Sequence, residues 1–271
     1  MIEEFNLGDF NRRDFFKLLG GSSLIALFPW LHSCTTEASN ATVGEKINIG
    51  VIGTGSRGMY HLNNIRNIPI PQAEVVALCD DYAPHLQQAI DLFPQAKQYN
   101  DYRKLLDDKN VKAVIITTPL NEHEQMTIEA FAAGKHVFCE KSMAISLDGC
   151  RNIYDAYKQS GKVLYIGQQR MFDPKYIRAM EMIHSGLIGT ITGMRAYWYR
   201  NNDWRRPVPS PEFEKRINWR LYRNSSAGLV TELAAHQLQV GDWAIGLRPE
   251  SVMGCGDIVY WKDGQIGRAH V

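Results

Sequence analysis

The sequence has no surplus of either charge: 30 Lys and Arg stand against 29 Asp and Glu, a formal net charge of +1. No basic run stands out, so electrostatics gives no case for a nucleic-acid partner. The five cysteines (Cys34, Cys79, Cys139, Cys150, Cys255) lie far apart, with no CxxC pair and no Cys/His cluster at metal-ligand spacing. That argues against a structural zinc, suggests no disulfide, and leaves no metal to be expected. The uncharged stretch over residues 18–31 is too short to span a bilayer comfortably. What remains is ordinary globular composition, 45% hydrophobic and 22% charged over 271 residues, enough for one large domain or two smaller ones.

Both ends read as something other than fold. Asn11-Arg12-Arg13-Asp14-Phe15-Phe16-Lys17 precedes the uncharged stretch and resembles a twin-arginine export signal. Leu31-His32-Ser33-Cys34 resembles a loose lipobox, in which Cys34 would be the lipidated residue of a membrane-anchored protein. Residues 1–44 are therefore expected to be signal and linker, and the protein periplasmic or anchored to a membrane. The twin-arginine route carries folded proteins, so a noncovalent cofactor would be loaded before export and retained after it. At the other end, Ile266-Gly267-Arg268-Ala269-His270-Val271 is what ATCGGAAGAGCACACGTC encodes, a string matching a common sequencing adapter. Residues 265–271 are expected to be an artefact, and the natural sequence to depart from this one near Gly264. A domain cut there would leave unpaired strand edges and low solubility.

From Lys46 the pattern alternates between strand and helix. Ile47-Asn48-Ile49-Gly50-Val51-Ile52 reads as a buried strand, followed at once by Gly53-Thr54-Gly55-Ser56-Arg57-Gly58 and a helix with apolar Met59, Leu62 and Ile65. A GxGxxG alone is weak, but at a strand-to-helix turn it has the context its mechanism needs. Gly53 permits the tight turn, Gly55 lets a pyrophosphate approach the backbone, and Gly58 lets the helix pack close. The helix N-terminus, with Ser56 and Arg57, faces the phosphates. A second strand over residues 74–79 ends at Asp80, the expected partner of a ribose hydroxyl. Asp80 and Asp81 together would repel a 2′-phosphate and favour NAD; Arg57, able to reach a phosphate, keeps NADP open.

The alternation predicts a short helix over 102–106, a strand over 111–118 ending at Pro119, a helix over 122–133 closed by Gly134, and a strand over 136–139 ending at Glu140-Lys141. Ligands of such sheets bind beyond the carboxyl ends of the strands, which marks Thr118, Pro119, Glu140 and Lys141 as site candidates.

Taken together, GTGSRG at 53–58, Asp80, TTPLNEH at 117–123 and AGKHVFCEKS at 133–142 resemble the Gfo/Idh/MocA oxidoreductases, the family of glucose-fructose oxidoreductase and inositol dehydrogenase. The resemblance runs over residues 46–264. It implies a Rossmann domain, a doubly wound parallel sheet over residues 45–168, followed by a partial α/β domain over 169–264 with an open, mostly antiparallel sheet that often forms an oligomer interface. A homo-oligomer is implied for the complete protein. The family's EKP tripeptide stands here as Glu140-Lys141-Ser142, with its lysine kept beside the nicotinamide and the reacting hydroxyl. The family's Asp-x-x-x-His stands as Glu232-Leu233-Ala234-Ala235-His236, with Thr231 a plausible N-cap. His236 is then the implied general base and Glu232 its orienting partner or a hydroxyl ligand. Asn121, His123 and Gln169 resemble cofactor-side residues, and Arg170 follows one place early.

Residues 197–206, rich in Tyr, Trp, Arg and Asn, have the groups that bind sugars, or form a loop anchored by aromatics. The expected activity is hydride transfer between a nicotinamide cofactor and a sugar or polyol. Two rivals remain at this stage: a redox-neutral glycosidase needing the same residues, and a non-catalytic dinucleotide or sugar sensor.

Overall fold

The computed structural model describes residues 46–68, 72–199 and 205–255. The arginine pair at 12–13, Cys34, the adapter-like tail and residues 200–204 of the aromatic stretch lie outside the described residues.

Six parallel strands form one sheet in the order β3-β2-β1-β4-β5-β6. They are β1 (Ile47–Ile52), β2 (Ala73–Cys79), β3 (Lys97–Tyr99), β4 (Ala113–Ile116), β5 (His136–Cys139) and β6 (Leu164–Ile166). The chain leaves β1 on one side to build β2 and β3 and returns to the other side for β4, so the order reverses between β1 and β4. That reversal opens a crevice at the carboxyl ends of those two strands. Between the strands run α1 (Ser56–Asn67), α2 (Ala83–Leu92), α3 (Tyr102–Asp107), α4 (His123–Ala132) and α5 (Leu147–Ser160).

Both faces of the sheet are covered, which is why β1 and β4 read as continuous apolar runs rather than alternating ones. Along β1, Val51 packs with Leu62, Val75 and Leu78 on one face, while Ile52 packs with Leu105, Val114, Ile116 and Phe131 on the other. Each fully buried Val, Leu or Ile contributes about 1.5–3 kcal/mol. Local signals place the helix ends: Asp101 accepts from the backbone N–H of Arg103, Ser146 from that of Gly149, and Gly134 follows α4 with φ of 74°.

After β6 the described residues are helical or irregular. α6 (Pro174–His184) is capped by Asp173; α7 (Glu214–Ile217) is a single turn; a π-helical turn (Val230–Ala234) leads into α8 (Ala235–Ile245). The antiparallel sheet expected beyond residue 169 has no strand among the described residues, where residues 189–199 take no regular secondary structure. Thr231 is not an N-cap: the helical run already begins at Gly228, and Thr231 lies within the π-turn.

Candidate active site

The crevice between β1 and β4 opens into a cavity of about 1210 Å³, larger than small-ligand sites usually enclose. Its floor is made of backbone. Gly53 adopts φ of 87°, and a side chain there would press on the Thr117–Thr118 peptide. Gly58 is buried in the first turn of α1, where a methyl would run into the carbonyl oxygen of Gly53. Gly55 caps α1 without a side-chain hydrogen bond and lines the cavity with Ser56 and Arg57. The helix N-terminus therefore presents bare N–H groups and the positive end of its dipole, as an anionic pyrophosphate requires.

Asp80 closes this floor at the end of β2. Its Oδ2 accepts from the Thr54 backbone N–H at 2.7 Å and from Thr54 Oγ1 at 3.2 Å; its Oδ1 accepts from the Tyr82 N–H at 2.9 Å and from Arg216 Nη2 at 3.0 Å. Arg216 also pairs with Asp81. The acidic pair that would repel a phosphate thus already carries a guanidinium. Arg57 is held elsewhere, since its Nε donates to Glu140 Oε1 at 2.7 Å. His61 Nε2 lies 2.8 Å from the same oxygen. Burial raises the Glu140 carboxyl, but His61 and Arg57 together outweigh it and leave the group at about 2. Glu140 is a fixed anion that holds Arg57 and His61.

The opposite wall comes from the chain after β6. Lys141, in the loop leaving β5, donates from Nζ to the Glu232 carbonyl at 2.6 Å and lies 3.5 Å from Glu232 Oε2. Ser142 Oγ donates to the Thr231 carbonyl at 2.6 Å. The π-turn explains why those carbonyls are available: Ala235 N–H reaches back to Val230, and the widened ladder leaves carbonyls free to accept from outside. The Lys141–Ser142 peptide is cis although no proline follows.

Glu232 is buried and also faces Arg220 Nε at 3.5 Å and Ser226 Oγ at 3.2 Å. Burial lowers the Lys141 ammonium, and Glu232 opposes that shift. His236, buried one turn on, is lowered to about 4 by burial and then by the charges of Lys141 and Arg170. Its Nδ1 has no hydrogen-bond partner among the described residues. A neutral imidazole beside a half-buried ammonium can accept a proton while the ammonium stabilises a nearby negative charge.

The structure brings Gly53, Gly55, Ser56, Arg57, Asp80, Thr118, Pro119, His123, Glu140, Lys141, Gln169, Glu232 and His236 to one cavity. Asn121 is not among them. The 3₁₀ turn Leu120–Glu122 buries Leu120, so Asn121 points outward and Glu122 lines the cavity instead. Arg170 also stands back, its guanidinium over the rings of Tyr176 and Trp198. In the aromatic stretch, Arg205 and Arg206 line the cavity, whereas Tyr197, Trp198 and Tyr199 are exposed. Sequence reasoning missed the segment holding Arg216, Asn218, Trp219 and Arg220, all of which line the cavity. Its only signal was the composition of Arg216-Ile217-Asn218-Trp219-Arg220, cationic and aromatic like the stretch before it.

Comparison with known proteins identifies the family. The family model described as "Oxidoreductase family, NAD-binding Rossmann fold" matches residues 47–168, and the "GFO/IDH/MocA C-terminal domain" matches residues 176–268. The chain belongs to the Gfo/Idh/MocA family. Within it, the inositol 2-dehydrogenase of Salmonella paratyphi B is 38% identical over 53% of this chain and 43% of its own length. The myo-inositol 2-dehydrogenase of Thermotoga maritima is 28% identical over 82% of this chain and 61% of its own. The chain thus spans about half the length of the curated relatives it matches. The solved scyllo-inositol dehydrogenase of Lactobacillus casei, with bound NAD(H) and scyllo-inositol, shares the fold at a TM-score of 0.60 and 24% identity, over 74% of this chain and 57% of that one. The first match runs through β6 and the second begins just after it, so the Gfo/Idh/MocA assignment takes in both walls of the cavity.

Proposed function

We propose that this chain is the nucleotide-binding and catalytic part of an NAD-dependent oxidoreductase acting on a polyol or sugar hydroxyl, with NADP as the alternative to NAD. The reading is carried by one observation: Lys141, Glu232 and His236 meet on the cavity whose floor is the glycine turn. The residues fit a dinucleotide, with the bare N-terminus of α1 for the pyrophosphate and Asp80 for a ribose hydroxyl. A nicotinamide bound there would supply the hydride acceptor for an alcohol carbon, or the hydride donor for a ketone.

The chain's own residues handle the proton and the charge. His236, neutral above about pH 4, takes the hydroxyl proton. Lys141, held by the Glu232 carbonyl, hydrogen-bonds the same oxygen as negative charge builds on it. Glu232 fixes the ammonium and offsets its charge. The inositol dehydrogenases among the relatives point to a cyclic polyol as the first substrate to try. Convergent proton-transfer groups also argue against a purely binding role. Incubation with NAD and a panel of inositols, linear polyols and aldoses should generate the near-ultraviolet absorbance of reduced nicotinamide. No absorbance across the panel would overturn the reading.

Export is part of the same proposal, supported by Arg12-Arg13 and the uncharged stretch behind it. A reporter fused to residues 1–44 should leave the cytoplasm and stay there once both arginines are lysines. Cys34→Ser should release it from membranes if Cys34 carries lipid. Self-association of the complete protein is tested by its mass in solution.

A further inference from the structure

His123 opens α4 and is 2% exposed, cut off from water. Its two ring nitrogens face two backbone carbonyls: Nδ1 lies 2.8 Å from the oxygen of Ser142 and Nε2 lies 3.1 Å from the oxygen of Thr118. A neutral imidazole has one N–H and one lone pair, so either tautomer would set a lone pair against a carbonyl oxygen in a dry site. Only the ring protonated on both nitrogens donates to both.

The two acceptors are not arbitrary. Thr118 follows β4 and Ser142 follows β5, and these strand-end loops border the cavity. Ser142 is also the residue after Lys141, and its hydroxyl ties the loop to the Thr231 carbonyl. The imidazole is therefore a strut between the loop bearing Thr118-Pro119 and the loop bearing Lys141. With both nitrogens spent on protein carbonyls, it has no hydrogen bond left for a cofactor, which changes the cofactor-side role read from its motif.

We propose that His123 is a buried imidazolium and a positioning residue: by donating to both loops at once it sets their separation and so holds Lys141 at the reacting oxygen. The consequence for Lys141 rests on the oxidoreductase reading above; the protonation state does not. The titratable groups acting on the ring are Cys139 at the end of β5 and Glu122 in the turn before α4, with Asp80 beyond Glu122. Burial pulls the imidazole's proton affinity down, but Cys139 and the two carbonyls outweigh it and push the group up to about 9.

The test is a histidine ¹⁵N NMR titration of the whole chain, with His123→Asn to assign the signal among the eight histidines. One ring should keep two protonated nitrogens through pH 8. Its proton loss at higher pH should move the carbonyl ¹³C signals of Thr118 and Ser142 together. A ring with one bare nitrogen at pH 7 would overturn the proposal, whether or not any substrate turns over. For the positioning role, His123→Asn should lower kcat about 10- to 100-fold with the KM for NAD nearly unchanged. Wild-type kcat, or an equal loss in both parameters, would overturn it. Should that variant not fold, the joint movement of the two carbonyl signals decides: if they stay independent of the ring, the strut does not exist.

Discussion

The two walls of the cavity are built from different materials. Up to β6 the chain contributes mainly backbone: glycines that let peptides approach, a helix N-terminus, and carbonyl ends of strands over a buried apolar core. After β6 it contributes side chains: Arg205, Arg206, Arg216, Trp219, Arg220, Glu232 and His236 reach into the same space. A backbone-made wall tolerates most substitutions and fails where a Cβ is added. A side-chain-made wall fails where a functional group is removed. The first suits a ligand common to many enzymes; the second suits chemistry and selectivity.

The sharpest way to break that contrast is at the meeting point. Lys141→Ala should lower hydride transfer by about 10³-fold while dinucleotide affinity stays within a few fold, read from single-turnover rates and fluorescence titration. Comparable loss of binding would make Lys141 part of the floor. On the backbone wall, Gly58→Val should do the reverse and weaken NAD binding by about 100-fold, because α1 must move off the Gly53 carbonyl. Retained affinity in a folded variant would remove the close-packing argument.

pH separates the two walls as well. His236 is depressed to about 4 from 6.5, so the acid limb of kcat/KM should fall near pH 4 to 5 rather than near 6.5. The same shift has a stability consequence. Between pH 6.5 and about 4 the unfolded chain binds the extra proton and the folded chain does not, so stability falls as pH drops through that window. His236→Phe should flatten that part of the thermal-melt profile, and an unchanged slope would contradict the assignment. A smaller effect is expected at Arg216→Gln, which uncovers Asp80 and Asp81: NADP affinity should drop roughly tenfold relative to NAD. Smallest of all is Asn121→Ala, exposed and outside the cavity, expected to leave cofactor affinity unaltered and stability within about 0.5 kcal/mol.

Legibility from sequence followed the same division. β1 and β5 fall where their apolar runs predict, and GxGxxG, Asp80 and the Glu140-Lys141 strand end were all readable, because backbone geometry restricts which residues can stand there. β3 left no trace, since Lys97-Gln98-Tyr99 is a three-residue edge strand without an apolar run. The π-turn was equally silent: the donors its carbonyls accept from, Lys141 and Ser142, arrive from another loop, which no local spacing records. Arg216 illustrates the limit for side chains, because nothing in its neighbourhood says that its partners lie at the end of β2. Glu232 and His236 were legible through the family motif, but their burial against Lys141 was not.

The account stands most directly on where a bound cofactor lies. A crystal structure with NAD(H) and an inositol should show the diphosphate against the Gly53–Gly58 turn, with Lys141 Nζ and a His236 nitrogen both within about 3.2 Å of one substrate oxygen. A nicotinamide lying away from β4 and β5, or a substrate oxygen out of reach of both groups, would contradict it.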